Sequence, residues 1–213
     1  MRGCASVKGF SRRADTTVCV SVEVSNQSGS ECVEFVILDE LLDGIELDMG
    51  AIGEDVLYEL DRAADVTAAY MSACASFAYT QGSLRSLYRK LIQKGFSKES
   101  SSMAIDIVES RGFVNEDDIA ARRAEIMLSK LWGKSRILKK LREEGFPDGV
   151  IKGALEAIEY TDFAGNCAKM IEKKYPQIPE ERHEREKMYA SLVRMGYSSS
   201  DIKKALTLIE NQE

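Results

Sequence analysis

The 213-residue sequence is poor in proline, histidine and tryptophan, with three, one and one of each. No proline occurs before Pro147, so nothing in that part of the chain interrupts a helix chemically. No stretch approaches the ~18 apolar residues that a membrane span needs, and the amino-terminal segment lacks the apolar core of a signal peptide. We therefore expect a cytoplasmic protein that does not bind membranes.

The sequence also has little that would build a metal or cofactor site. Its five cysteines are scattered without CxxC spacing, which indicates reduced thiols, and we expect Cys74 to lie in a core. The only histidine, His183, stands in the charged run EERHEREK and is expected to be exposed. The glycines of GAIG at 50–53 lack the GKS or GKT of a phosphate loop. We therefore predict no metal site, no nucleotide site and no cofactor.

The net charge of −6 hides a gradient along the chain. Residues 1–80 have a net charge of −9, residues 81–142 of +7 and residues 143–213 of −4. A basic midsection in an acidic protein indicates an acidic partner, either nucleic acid or another protein's surface, although charge runs are also common on solvated helices.

The amino-terminal part of the sequence has the pattern of β-strands. Valines alternate strictly from Thr17 to Ser25, which predicts a strand with one buried face. The run NQSGS then predicts a turn, and CVEFVILDE from Cys32 predicts a second strand that pairs back as a hairpin. A short third strand at GIELDMG completes a β-rich element at about residues 15–50.

A helix ending of the form L-x-x-x-G-[FY] occurs three times, 50 and then 51 residues apart. Glycine just past a helix can take the left-handed conformation, and the next residue then folds back on the leucine in a Schellman motif. Alanines align when the repeats are registered on these glycines, which predicts a matched buried face at Ala104, Ala154 and Ala205. The predicted stops are Gly95 with Phe96, Gly145 with Phe146, and Gly196 with Tyr197.

This period predicts a mainly α fold: tandem three-helix repeats forming an elongated, curved body, with a small N-terminal β-hairpin element. We predict a β-rich element at 1–53, a connecting helix at 54–80, three-helix repeats at 81–134 and 135–180, and a shortened repeat at 181–213. Within them, helices are predicted at 54–79, 84–94, 98–111, 116–131, 135–144, 148–160, 162–175, 183–195 and 199–211.

Three further segments follow the same order along the chain: RGFVNEDDIA, GKSRILKKLREEGF and YTDFAGNCAKMIEKKY, the last preceding a shortened unit. Over about residues 55–213, these segments and the repeated helix ending resemble the RecX family of regulators of the RecA recombinase. The resemblance implies a non-enzymatic protein that lies along the groove of the RecA filament on DNA and bridges neighbouring subunits. It also implies inhibition of RecA ATP hydrolysis, strand exchange and coprotease activity, within DNA repair, homologous recombination and the SOS response.

Basic residues of the midsection are the candidate contacts with the RecA filament or DNA. Several fall at helical spacing and can form stripes on one helix face. Trp132, beside Gly133, is interpreted as a wedge between repeats or, alternatively, an interface anchor. The candidate contacts are Arg85, Arg89, Lys90, Lys94, Arg122, Arg123, Lys130, Lys134, Arg136, Lys139 and Lys140.

Two other functions remain open from the sequence. A protein that binds nucleic acid without sequence preference could use the same basic helices on phosphate, with affinity that falls steeply with salt. A helical adaptor for an unrelated partner would bind neither RecA nor DNA. In each case we expect a monomer.

Overall fold

The computed structural model describes residues 4–14, 16–26 and 29–211. It confirms a mainly α fold with an antiparallel β element at its amino-terminal end, and all nine predicted helices are present. The largest boundary difference is in the helix predicted at 148–160, which ends at Ala157. The elements are β1 (Cys4–Ala14), β2 (Thr17–Asn26), β3 (Gly29–Leu38), α1 (Asp39–Leu42), β4 (Gly50–Ile52), α2 (Glu54–Tyr79), α3 (Leu84–Gln93), α4 (Lys98–Ser110), α5 (Glu116–Ser129), α6 (Lys134–Glu144), α7 (Asp148–Ala157), α8 (Phe163–Lys174), α9 (Arg182–Arg194) and α10 (Ser199–Glu210).

The β element is a four-stranded sheet of order β3-β2-β1-β4, with antiparallel pairing throughout. Strands β2 and β3 form the predicted hairpin, and Val20 and Val22 face its core with no exposed surface. Residues 27 and 28 of the predicted turn lie outside the described residues. The sequence did not predict β1, and it placed the last strand at 44–50 rather than at β4. The predicted two-stranded hairpin is therefore the middle of a larger sheet.

Helix α2 covers one face of this sheet. Leu60 and Ala63 of α2 join the buried valines and Phe35 in one apolar core. Thr67 connects the two layers, because its hydroxyl accepts a hydrogen bond from the Leu38 amide at 3.0 Å and donates to the Ala63 carbonyl at 2.9 Å. A buried polar side chain with both partners in place avoids the cost of an unmade hydrogen bond.

The prediction that Cys74 lies in a core was wrong. Cys74 is only half-buried, and Met71, one turn earlier on α2, is 44% exposed. The buried face instead follows Leu60, Ala63 and Tyr70. A long helix offers several overlapping apolar stripes, and packing against the sheet selects one of them.

The three predicted helix stops are confirmed. Gly95, Gly145 and Gly196 have φ angles of 96°, 89° and 94°, in the left-handed region. In each case the amide of the following aromatic residue donates to the carbonyl of the leucine five residues earlier, at 3.2 to 3.3 Å. This is the hydrogen bond of a Schellman motif, and it satisfies a carbonyl that the helix end leaves free.

The last two stop glycines also lie close to residues at the start of another helix. A Cβ atom on Gly145 would lie 3.2 Å from the Ser83 hydroxyl, and one on Gly196 would lie 2.4 Å from the Arg136 amide nitrogen. Ser83 also donates to the Glu144 carbonyl at 2.6 Å. The start of α3 therefore packs against the end of α6. In the same way, the start of α6 packs against the end of α9.

The helices that pack together are not grouped as in the predicted repeats. Helix α2 packs on α4, α5 on α7, and α8 on α10. The chain divides into two compact units: the sheet, α2 and residues 87–113 form the first, while residues 81–86 and the chain from Val114 onward form the second. The predicted repeat boundaries stay a prediction, and the packing favours units that begin one helix earlier. The matched alanines Ala104, Ala154 and Ala205 are all buried, as predicted.

Candidate partner-binding site

A basic groove of about 670 Å³ lies within the second unit, where α6, α8 and α9 meet. Its lining includes five cationic side chains and a single carboxylate among the described residues. A concave surface with one sign of charge concentrates the electrostatic potential and favours an anionic partner. The lining residues are Trp132, Arg136, Lys139, Lys140, Glu143, Lys174, Ser191, Arg194 and Met195.

The turn that ends α5 places Trp132 in the groove. The stop residue is Leu131, whose φ of 58° makes it the one non-glycine residue of the described chain with a positive φ. The Trp132 amide donates to the Met127 carbonyl at 3.2 Å, which is again the Schellman bond. A leucine in the left-handed region costs about 1–2 kcal/mol, so surrounding contacts must hold it. The Tyr197 hydroxyl supplies one, donating to the Leu131 carbonyl at 2.7 Å.

The two walls of the groove are joined by backbone contacts. The Gly133 amide donates to the Met195 carbonyl at 2.8 Å, and the Ser135 amide donates to the Gly196 carbonyl at 3.1 Å. The backbones approach so closely that a Cβ on Gly133 would lie 2.2 Å from the carbonyl carbon of Gly196. The start of α6 and the end of α9 are thereby held in a fixed relation.

Arg136 and Trp132 form a stacked pair on this frame. The guanidinium carbon of Arg136 lies 3.8 Å from the centre of the Trp132 ring, within the range of a cation–π interaction. The same guanidinium also contacts the Met195 sulfur at 2.8 Å. Arg136 is therefore pre-ordered, and an ordered arginine loses less entropy when it binds an anion.

The remaining cations are more loosely held. Lys139 and Lys140 each lie 3.9 Å from a Glu143 oxygen, at the outer limit of an ion pair, with 78% and 42% of their side chains exposed. Such exposed pairs contribute little stability and exchange readily. Lys174, the last residue of α8, donates to the Ser191 hydroxyl. Arg194 ends α9 and is exposed.

The groove brings together part of the predicted site and adds residues that the sequence interpretation missed. Trp132, Arg136, Lys139 and Lys140 were predicted and all line it. Lys174 and Arg194 were not predicted, because each lies on a helix outside the basic midsection. Their one sequence signal is a basic residue in the last turn of a helix, which is also a common helix-end feature.

The other predicted contact residues do not line this groove. Lys94 donates to the hydroxyls of Ser72 and Ser76 at 2.8 and 3.0 Å, and Arg123 donates to the Gln81 carbonyl at 2.8 Å. These two cations thus have structural partners within their own units. Among the rest, Arg85, Arg89, Arg122, Lys130 and Lys134 are exposed and Lys90 is half-buried.

The histidine, cysteine and acidic side chains are the groups that could bind a metal ion. His183 is exposed, as expected. Across residues 4–14, 16–26 and 29–211, no group of three or more His, Cys, Asp or Glu side chains is placed to hold a metal ion. No helix in these residues is long and apolar enough to span a membrane.

Cys167 lies in the apolar core formed by α8, α9 and α10. It packs with Ile171, Leu192 and Tyr197 and has no exposed surface. Burial, with a smaller contribution from the Asp201 carboxylate, raises the pKa of the Cys167 thiol to about 12. Burial likewise raises the pKa of Tyr197 above its usual range. Burial therefore extends the pH range over which both groups stay neutral to values above their usual pKa.

We expect this thiol to be protected from alkylation as long as the second unit is folded. Because the folded pKa is raised, the stabilisation from the neutral thiol is complete below about pH 8.5 and is lost as the pH rises toward 12. At pH 8.5, iodoacetamide should modify exposed Cys32 at least about tenfold faster than Cys167, followed peptide by peptide by mass spectrometry. Urea should remove the difference, and equal rates in the folded protein would contradict the placement.

Comparison with known proteins finds similarity to one family of regulatory proteins. Residues 164–206, which include most of α8 to α10, match the family model described as "RecX, third three-helix domain". The chain is also 26% identical over 126 residues to the regulatory protein RecX of Clostridium tetani, and 23% identical over 128 residues to that of Chlorobaculum tepidum. The chain is thus similar to RecX regulatory proteins over more than half of its length. Its match spans 58% of the length of the Clostridium tetani RecX protein and 79% of the Chlorobaculum tepidum one.

Solved RecX structures show the same fold. A crystal structure of regulatory protein RecX has a TM-score of 0.71 at 18% identity, covering 93% of this chain and 97% of that one. RecX from Lactobacillus salivarius has a TM-score of 0.59 at 20% identity, covering 68% and 97%. The matched RecX domain also agrees with the packing of α8 on α10, since both treat α8 to α10 as one three-helix unit.

Proposed function

We propose that this protein regulates a RecA recombinase by binding the groove of the RecA filament on DNA, and that it inhibits ATP hydrolysis, strand exchange and coprotease activity without being an enzyme. Similarity to regulatory proteins of the RecX family supports the regulatory role. The observation that supports a binding mechanism is the basic groove, in which cations from three helices surround an ordered tryptophan–arginine pair. Complementary charge would guide the encounter with an acidic filament surface and fix the register.

A titration of DNA-dependent ATP hydrolysis tests the proposal. The cognate RecA is assembled on single-stranded DNA, and the protein is added from well below to above one molecule per recombinase subunit. We expect inhibition at substoichiometric ratios, because a groove-bound regulator acts on a filament rather than on free DNA. Inhibition that begins only when the DNA itself is saturated would instead show simple competition for DNA and would contradict the proposal.

The second candidate is binding of nucleic acid without sequence preference. It is favoured by Arg122, Lys130 and Lys134, whose side chains have no hydrogen bond or ion pair within the described residues. A phosphate binder should lose affinity in proportion to the number of phosphate contacts as salt increases, and it should bind DNA equally well without RecA. DNA binding measured at two salt concentrations, with and without RecA, separates the two functions.

A further inference from the structure

We infer that the basic groove at α6, α8 and α9 binds an extended acidic peptide segment of the partner protein, with carboxylates on the lysines and arginines and an apolar side chain against Trp132 and Met195. The inference deepens the proposed function and rests on it for the identity of the protein that contains this segment. The experiment below measures the peptide alone and therefore does not depend on the recombinase.

The charges of the groove select an anionic ligand. Arg136, Lys139 and Lys140 come from α6, while Lys174 and Arg194 come from the last residues of α8 and α9. Five cations therefore converge in a chain whose net charge is −6. The present partners of Lys139 and Lys140 are glutamates at 3.9 Å, so incoming carboxylates can replace them at little cost.

The groove also has an apolar component that a purely ionic site would lack. Trp132 is half-buried beside the Met195 thioether, and both side chains line the concavity. Tryptophan is favoured at the centres of protein interfaces, and methionine adapts to varied apolar side chains. A peptide can bind both the cationic and the apolar part of this lining, because one extended strand can contain acidic and apolar side chains.

The aromatic geometry favours a peptide over single-stranded nucleic acid. Such nucleic-acid sites stack successive bases on open aromatic faces. Among the described residues that line this groove, Trp132 is the single aromatic side chain, and one face of its ring is covered by the Arg136 guanidinium at 3.8 Å. An acidic peptide with one apolar side chain needs no second aromatic face.

Trp132 is the only tryptophan of the chain and therefore reports directly on the groove. The full-length protein is titrated with an acetylated ten-residue peptide of eight glutamates and two leucines. Tryptophan emission and the anisotropy of a fluorescein-labelled copy of the peptide are recorded at 50 and 200 mM salt. We expect saturable binding with a shift of the emission, and weaker affinity at the higher salt.

A charge-reversal variant and a matched control test the location. Lys139→Glu with Arg194→Glu should weaken peptide binding at least about tenfold, since two groove cations become anions. The control, Lys152→Glu with Lys203→Glu, makes the same change in net charge on exposed lysines of α7 and α10 that do not line the groove. The control should bind the peptide within about twofold of the unchanged protein, and circular dichroism confirms that both variants remain folded.

Three results would overturn the inference. The first is no change of tryptophan emission with the peptide, and the second is an equal loss of peptide affinity in the groove variant and its control. The third is an emission change with oligothymidylate but none with the peptide. The last would assign the groove to nucleic acid. If the peptide does not bind but the protein still inhibits RecA ATP hydrolysis at substoichiometric ratios, the proposed function stands. Only the binding of an acidic segment in the groove is then rejected. If the peptide binds but inhibition is absent, the recombinase is the wrong partner.

Discussion

Replacing Gly133 with alanine is expected to lower the free energy of unfolding of the second unit by about 3 kcal/mol, the upper end of the usual cost of overpacking. Its new Cβ would lie 2.2 Å from the Gly196 carbonyl carbon, 2.3 Å from the carbonyl oxygen and 2.4 Å from the Tyr197 nitrogen. All three are backbone atoms, so no side-chain rotation can relieve the overlap. Gly133 itself has a φ of −77°, which alanine tolerates, so the expected loss comes from the close approach alone.

Urea unfolding followed by Trp132 emission measures this effect, because the reporter lies next to the substituted residue. Gly153→Ala in α7 is the control: no atom lies within 4 Å of its added Cβ, and alanine should stabilise the helix by about 0.5–1 kcal/mol. Gly112→Ala tests backbone strain alone, since Gly112 has a φ of 65° but open space around it, and should cost about 1–2 kcal/mol. Its unfolding is followed by circular dichroism, because Gly112 lies in the first unit and Trp132 in the second. Equal stability of the Gly133 and Gly153 variants would show that the backbones are not in contact.

Features set by local sequence were predicted well. The stops at Gly95, Gly145 and Gly196 follow from a glycine and an aromatic residue at the end of an apolar helix face, and these are neighbours in the chain. Leu131 is the exception, because nothing in its residue type indicates a left-handed stop. Its carbonyl accepts a hydrogen bond from the hydroxyl of Tyr197, which is distant in the sequence.

Strand β1 was missed because its sequence shows little alternation. Ala5 and Val7 are buried, but residues 10–13 are all exposed, and the register with β2 shifts between Val7 and Gly9. A strand that is half outside the core lacks the period-2 pattern on which sequence interpretation depends. Its position is decided by pairing with β2, whose valines were recognised.

The sequence period does not determine at which helix a repeat begins. Stop glycines 50 residues apart give the length of a unit, but any starting helix is compatible with that length. The contacts of α5 with α7 and of α8 with α10 favour units that begin one helix earlier than the predicted repeats. The groove was incompletely predicted for a related reason: Arg136 and Arg194 meet only because the Gly133 amide bonds to the Met195 carbonyl, a contact 62 residues apart in sequence.

Reversing two charges in the groove is expected to raise the concentration needed for half-maximal inhibition of RecA ATP hydrolysis by at least about tenfold, or roughly 1.4 kcal/mol of binding free energy. The change is Lys139→Glu with Arg194→Glu. Both side chains are exposed, and neither lies in the apolar core of α8 to α10, so the fold should be retained. The cause of the loss would be repulsion of an acidic partner surface from a groove whose net charge has fallen by four.

The ATPase titration is repeated with this variant and with Lys152→Glu plus Lys203→Glu, which alters the net charge equally outside the groove. The control should inhibit at the same ratio as the unchanged protein. Raising the salt should weaken inhibition by the unchanged protein more than inhibition by the groove variant, because the variant has already lost the attractive contacts that salt screens. Equal inhibition by all three proteins would move the interface to another surface, and Arg89 and Lys90 on α3 would be reversed next.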